Sequence, residues 1–209
     1  MGVAIHYHGA LDDPTQLDHA LKMLKDESDR RGWPYRELDF EASGPFEYET
    51  THTVPGPLPG WEDIIAETHI IELDTRWRGL IIEPHAECEG LVLMFDPKEA
   101  RLMMLMSIGD SESLSYYLSV KTQFAPVETH VAVCEVLHRL QNEYGPNNFV
   151  VKDESEFFET GNLDELLRVR NVIEGALNNP ELIARLAKLA TIDQELELPD
   201  DDDLKSRRN

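Results

Sequence analysis

Leu91-Val92-Leu93-Met94-Phe95-Asp96-Pro97-Lys98-Glu99-Ala100-Arg101-Leu102-Met103-Met104-Leu105-Met106-Ser107-Ile108-Gly109-Asp110 is the stretch that decides the fold. Two apolar runs of strand length, Leu91 to Phe95 and Arg101 to Ser107, are set apart by the turn signal Asp96-Pro97 and closed by Gly109-Asp110. Gaps this short join antiparallel neighbours, because a parallel crossover needs a dozen residues or more. Working outward, Ser115 to Lys121 follows as a further strand, and His69 to Leu73 and Arg78 to Ile82 precede as two more. Leu102 to Met106 is apolar without alternation, so it reads as a central strand buried on both faces, with its methionines as core filler.

Helical signals flank this block. Asp13-Pro14-Thr15-Gln16 opens a helix with Leu17, Leu21 and Leu24 on its apolar stripe, and Gly32 with Pro34 ends it. Pro126 starts a helix that runs to about Tyr144 and is stopped by Gly145-Pro146. Asn162, with Glu165 three residues on, caps another, and Asn179-Pro180 begins a last short one. Val3 to His8 reads as a strand with Val3, Ile5 and Tyr7 on one face and His6 and His8 on the other. Tyr35 to Phe40 is a second strand, and Phe149 to Val151 a short one. The order of elements predicts an α+β fold, a mainly antiparallel sheet with helices packed on one face.

The expected organisation is a single α+β domain over residues 1–192. Within it, 42–60 is read as a long Pro/Gly-rich surface loop, because Pro45, Pro55, Pro57 and Pro59 are hostile to regular structure. From 193 the chain becomes Gln-Glu-Leu-Glu-Leu-Pro-Asp-Asp-Asp-Asp and is read as a disordered acidic tail, 193–209, with a basic tip.

Charge narrows the function classes. Asp and Glu number 41 against 19 Lys and Arg, a formal net of -22 over 209 residues. Such a chain repels polyanions, which argues against nucleic acid and anionic membranes as partners. No apolar run approaches bilayer length, and Met1 to Gly9 carries no signal-like basic and apolar regions, so a cytoplasmic location is expected. Cys88 and Cys134 stand apart and read as two reduced thiols. Salt adaptation, solubility and a basic protein partner each account for the acidity.

Three groups of residues have metal-binding or acid–base chemistry. His6 and His8 alternate on one strand, and the turn Pro84-His85-Ala86-Glu87-Cys88-Glu89 supplies imidazole, thiolate and carboxylate. A zinc ion held by His6, His8, His85 and Cys88, with Glu87 or Glu89 as base, would make a hydrolase. His130, Cys134 and His138 recur every four residues along one helix, with His130 and Cys134 at the edge of its buried stripe. Asp153, Glu154, Glu156 and Glu159 cluster between a strand and a helix without the spacing of an EF-hand loop. Phosphate-cradling glycine loops, nucleophile elbows and Cys-x-x-Cys pairs are missing from the sequence.

Val120-Lys121-Thr122-Gln123-Phe124-Ala125, Thr129-His130-Val131, Asp153-Glu154 and Glu159-Thr160-Gly161 together resemble a block, residues 120–161, of an uncharacterised bacterial protein family with no established activity. The resemblance implies a bacterial source and carries no function with it. The leading expectation is therefore a non-enzymatic binding or regulatory protein whose acidic surface meets a basic protein, with no cofactor. The metal-dependent hydrolase is the first alternative. A small-molecule binder, with Trp61 as a lid over a pocket beneath the 42–60 loop, is the second.

Overall fold

The computed structural model describes residues 3–55, 62–96, 98–108 and 111–179. The chain is α+β, with two mainly antiparallel sheets. Strands β1 (Ala4–Gly9), β8 (Tyr117–Lys121) and β9 (Phe149–Asp153) form a three-stranded sheet in the order β8-β1-β9. The larger, six-stranded sheet runs β5-β4-β3-β2-β7-β6. Its members are β2 (Tyr35–Pro55), β3 (Glu62–Ile82), β4 (Leu91–Asp96), β5 (Arg101–Leu102), β6 (Met104–Ile108) and β7 (Ser111–Ser115). Helices α1 (Leu17–Arg31) and α2 (Val127–Tyr144) supply the apolar stripes that cover both sheets, and the short α3 (Phe157–Thr160) and α4 (Leu163–Leu177) follow.

Period-two alternation orients the small sheet. Ile5 and Tyr7 of β1, Leu118 and Val120 of β8, and Phe149 and Val151 of β9 face the helices in the main core. His6, His8, Tyr117 and Lys152 face outward. The main core also takes Leu80 and Ile82 of β3 and Leu91, Leu93 and Phe95 of β4, so one set of helix stripes seals both sheets. Tyr7 joins them directly: its buried hydroxyl donates to the Val92 carbonyl at 3.0 Å and accepts from the Val92 N–H at 3.2 Å.

Sequence signals at the helix starts and stops hold with small shifts. Asp13 caps a short 3-10 turn, Pro14–Gln16, by accepting from the Thr15 N–H, and α1 begins one turn later than expected. Gly32 ends α1 with a φ of 69°, a conformation that suits glycine. Asn162 accepts from the Glu165 N–H at 3.2 Å and caps α4.

The strands depart further. Ala42 to Pro55, expected as loop, continues β2, and every residue from Tyr35 to Pro55 pairs with β3. Pro45 is tolerated there beside Gly44, whose φ of 110° lets the backbone bend. Residues 56–60 and Trp61 lie outside the described residues. The two strands expected at His69 to Leu73 and Arg78 to Ile82 are one, β3, because Asp74 to Trp77 keeps pairing with β2. The run Leu102 to Met106 is not a central strand. It breaks at Met103 into β5 and β6, which lie at opposite ends of the strand order. The strand buried on both faces is β4 instead: Leu91, Leu93 and Phe95 point into the main core, and Met94 into a second one.

That second core explains the break. Phe46 of β2, Trp77 of β3, Met94 of β4, Met103 and Leu114 of β7 are buried together. β4 pairs with β3, β3 with β2, β2 with β7 in parallel, and β7 with β6, which runs back through Met103 into β5 beside β4. The strands thus curl into a ring, and each side of it contributes one residue to the interior. Phe40 meets the Trp77 ring edge-on at 5.4 Å between centroids.

The chain divides into two compact units, Met1–Leu167 and Arg168–Asn209. The helix expected after Asn179 and the acidic tail 193–209 fall outside the described residues.

Close approach of β3 to β4 leaves no room for a side chain at Gly79: a Cβ there would stand 2.2 Å from the Leu93 carbonyl oxygen and 2.5 Å from the Met94 Cα. Both are backbone atoms that cannot turn aside. Gly79→Ala should lower the unfolding free energy by about 2 kcal/mol or more, read from urea denaturation. Gly32→Ala, with open space around its Cβ, should cost less, by way of its positive φ alone.

Candidate functional site

The residues expected to share a zinc ion are distributed as follows. His6 and His8 stack on either side of Tyr117, at 5.5 and 5.3 Å, on the outward face of the small sheet. His6 Nε2 lies 3.2 Å from Glu154 Oε1. His85 Nδ1 accepts the Glu87 N–H within its own turn at 3.1 Å. Cys88 packs against the main core, on the Tyr7 side of β1 and opposite the two histidines, and burial pushes its thiol up to about 11. Glu89 holds the end of β8, accepting from the Lys121 N–H at 3.0 Å. The 85–89 turn lies beside the end of β8, and no three ligand atoms of His6, His8, His85 and Cys88 lie within 4.8 Å of one another.

The structure gathers a different set. Among the described residues, His130, Cys134 and Asp153 are the one His/Cys/Asp/Glu group whose ligand atoms lie within 4.8 Å of one another. Helix spacing puts His130 and Cys134 on one face of α2, and Asp153 ends β9 opposite them. The sequence offered these residues in two separate groups, and only the pairing of β9 with β1 brings the groups together.

Hydrogen bonds already fill this centre. Asp153 Oδ2 accepts from Ser155 Oγ at 2.8 Å, His130 Nε2 at 2.9 Å and the Phe158 N–H at 3.1 Å, and Oδ1 accepts from the Ser155 N–H at 3.0 Å. His130 Nδ1 lies 2.7 Å from Thr122 Oγ1, which in turn reaches the Val3 carbonyl. The His130 and Asp153 side chains are both fully buried. Burial alone would raise the Asp153 carboxyl, but His130 and the Ser155 donors outweigh it and hold the group below its ordinary 3.8. The Cys134 thiol is pushed well above its usual range by burial and by the nearby Asp153 charge, which keeps it protonated. A carboxylate with four donors, a histidine with both nitrogens engaged and a protonated thiol make a closed structural centre. A metal there would have to displace these bonds.

Open chemistry lies elsewhere, on the β2–β3 hairpin. Each strand is 21 residues long, and β4 reaches only as far as the Arg78–Phe95 pair. β7 touches β2 at Glu47 and Tyr48 alone. The two strands together carry ten acidic side chains and three arginines. Two of the arginines are taken: Arg76 binds Asp39 in a two-pronged pair, at 2.5 and 2.7 Å, and Arg78 reaches Asp18 of α1 at 2.6 Å. Glu47, Glu72 and Asp74 are exposed and form no ion pair with a described residue.

Cations elsewhere are drawn into helix contacts. Arg30, Arg31 and Arg139 surround Glu27 and tie α1 to α2, holding that carboxyl below its usual range. A cleft of about 230 Å³ between α1 and the base of the hairpin is lined by Asp18, Lys22, Lys25, Glu37, Asp39 and Arg78. Its charges are matched, Lys25 to Glu37 at 2.8 Å and Arg78 to Asp18, so it exerts little net pull on an ion. The hairpin beyond it is where negative charge stands uncompensated. No sequence motif marks the hairpin; only an even spread of Asp and Glu through strand-forming residues hints at it.

The chain matches no protein family, no curated protein and no solved structure. That agrees with its resemblance to proteins without an established activity and does not bear on a bacterial source. Among the described residues no helix is long and apolar enough to cross a membrane.

The closed centre makes a stability prediction with a definite sign. Asp153 is depressed in the folded state, so its contribution is complete above about 3.8 and is lost as pH falls from there through the folded value. Asp153→Ala should cost about 3–5 kcal/mol at neutral pH, because it strands His130 and two buried N–H groups. In urea titrations the variant's stability should depend less steeply on pH across the acid range than that of the parent.

Proposed function

We propose that this chain is a binding or regulatory protein that presents an acidic surface, the β2–β3 hairpin, to a basic protein partner. One observation carries the reading: Arg30, Arg31 and Arg139 are spent on Glu27 between α1 and α2, while Glu47, Glu72 and Asp74 stand exposed on the hairpin without an ion pair to a described residue. Same-sign charge concentrated on one element repels itself, and an oppositely charged partner relieves that repulsion while speeding encounter. The buried His130–Asp153 centre supports the same view, since its groups are spent on holding the fold.

Binding should therefore be salt-sensitive and local. With polylysine as the probe, calorimetry should show affinity falling by about tenfold between low and moderate salt, as screening sets in. Glu72→Lys with Asp74→Lys should weaken binding several-fold more than Asp29→Lys with Glu128→Lys, which alters net charge equally on exposed positions of α1 and α2. Equal losses in the two double variants would reduce the effect to net charge and overturn the assignment to the hairpin.

Small-molecule binding is a second reading with one observation in its favour. The Trp77 indole N–H is fully buried in the ring of strands and has no acceptor among the described residues. A buried donor in that position costs about 1–3 kcal/mol, which a ligand carbonyl would recover. Native mass spectrometry of the gently purified protein separates the two readings by the size of whatever accompanies the chain. A small bound mass that is lost in Trp77→Phe supports the second, and a basic polypeptide supports the first.

A further inference from the structure

We propose that the basic partner binds by adding an extended strand to the free edge of β3 between Thr68 and Trp77. The inference rests on the hairpin being the binding surface and adds the mode of recognition. β3 pairs with β2 along its whole length but with β4 only from Arg78 to Ile82. Among the described residues no strand lies on the other side of Glu62 to Trp77. Along such an edge alternate residues turn both N–H and C=O outward, a ready template for another chain.

Proteins ordinarily interrupt the backbone of such an edge, and this one interrupts the opposite edge only, leaving β3 guarded by its charges alone. β2 carries Gly44 with its positive φ, then Pro45, and is covered at Glu47 and Tyr48 by β7. β3 has neither proline nor glycine before Gly79, and Thr68, Ile70, Ile71 and Thr75 are strand formers. One edge of the same hairpin is protected and the other is left available.

Side chains on the outward face specify the occupant. Ile70 is 70% exposed, and Glu72 and Asp74 continue the same face at the two-residue spacing of a strand. A strand laid alongside would place its own side chains about 5 Å from these, where basic residues opposite Glu72 and Asp74 gain and acidic ones lose. A second copy of β3 in parallel register would set Glu72 and Asp74 against themselves, and an antiparallel one would meet an Arg76 already held by Asp39, so self-pairing gains less than a basic strand does. The occupant that fits is an extended segment with lysine or arginine alternating with apolar residues, held through its main chain as in other cases of strand addition.

The test uses the full-length chain and a fluorescent peptide of alternating lysine and valine, followed by anisotropy at low salt. Two further peptides of identical sequence are N-methylated, one at every lysine and one at every valine. An added strand bonds through one set of its N–H groups, so one methylated peptide should lose about tenfold or more in affinity while the other stays near the parent. Hydrogen exchange at Thr68 to Arg76 should slow on binding the parent. If all three peptides bind alike and salt-sensitively, strand addition is overturned and the acidic surface stands. If the parent peptide does not bind at low salt, both readings fall. If the chain alone dimerises with those same amides protected, a second copy replaces the basic segment as occupant.

Discussion

Asp153 is the carboxylate on which the arrangement of the small sheet and its helices depends. It closes β9, caps the turn that starts α3 through the Ser155 and Phe158 N–H groups, and engages His130 in the first turn of α2. Through His130 and Thr122 the same chain of bonds reaches the Val3 carbonyl at the start of β1 and the end of β8. Ends of three strands and two helices are thus referred to a single buried charge. Such a centre contributes less net energy than an apolar one of the same volume, but a partial version of it is costly. Its value lies in fixing which elements meet.

The other large constraint is the ring of strands about Trp77. A six-stranded sheet with free ends would expose Met94 and Phe46; curling β6 back toward β5 through Met103 buries both. The ring accounts for the shortness of β5 and for the parallel contact of β2 with β7, which otherwise looks out of place in an antiparallel sheet. It also sets where the hairpin leaves the body of the protein. Below Arg78 the hairpin is sheltered by β4 and α1, and above it the strands have little but each other.

Legibility in the sequence followed the range of the interactions. Helix starts and stops were readable because they are set by neighbours a few residues apart: Asn162 with Glu165, Gly32 after Arg31. Alternation placed Ile5 and Tyr7 on one face of β1 and His6 and His8 on the other, since that needs only a strand; which face is buried came from the helices packed on it. The extent of β2 was hidden by Pro45 and Pro55, which signal a loop unless a long partner strand supplies the pairing. The reach of β3 was hidden in the same way, because only β2 reveals that Asp74 to Trp77 stays extended. Leu102 to Met106 misled for a different reason: uniform apolarity marks burial, and Met103 is buried at a bend. As for chemistry, His130, Cys134 and Asp153 were each noticed, but their meeting depends on β9 lying beside β1, a pairing of distant segments that no local pattern announces.

The place of β1 in the sheet has a consequence for how the chain is made. It leaves the ribosome ahead of the other described strands, yet both of its partners, β8 and β9, come from beyond residue 116. At ordinary rates of synthesis it waits roughly ten to thirty seconds for its second neighbour. During that interval an apolar strand with Ile5 and Tyr7 on one side has nowhere to go, while β2 and β3 can close on each other at once. The nascent chain therefore carries an adhesive strand well ahead of its partners, and the strongly acidic hairpin made in between is a charged segment that opposes self-association of the unfinished protein.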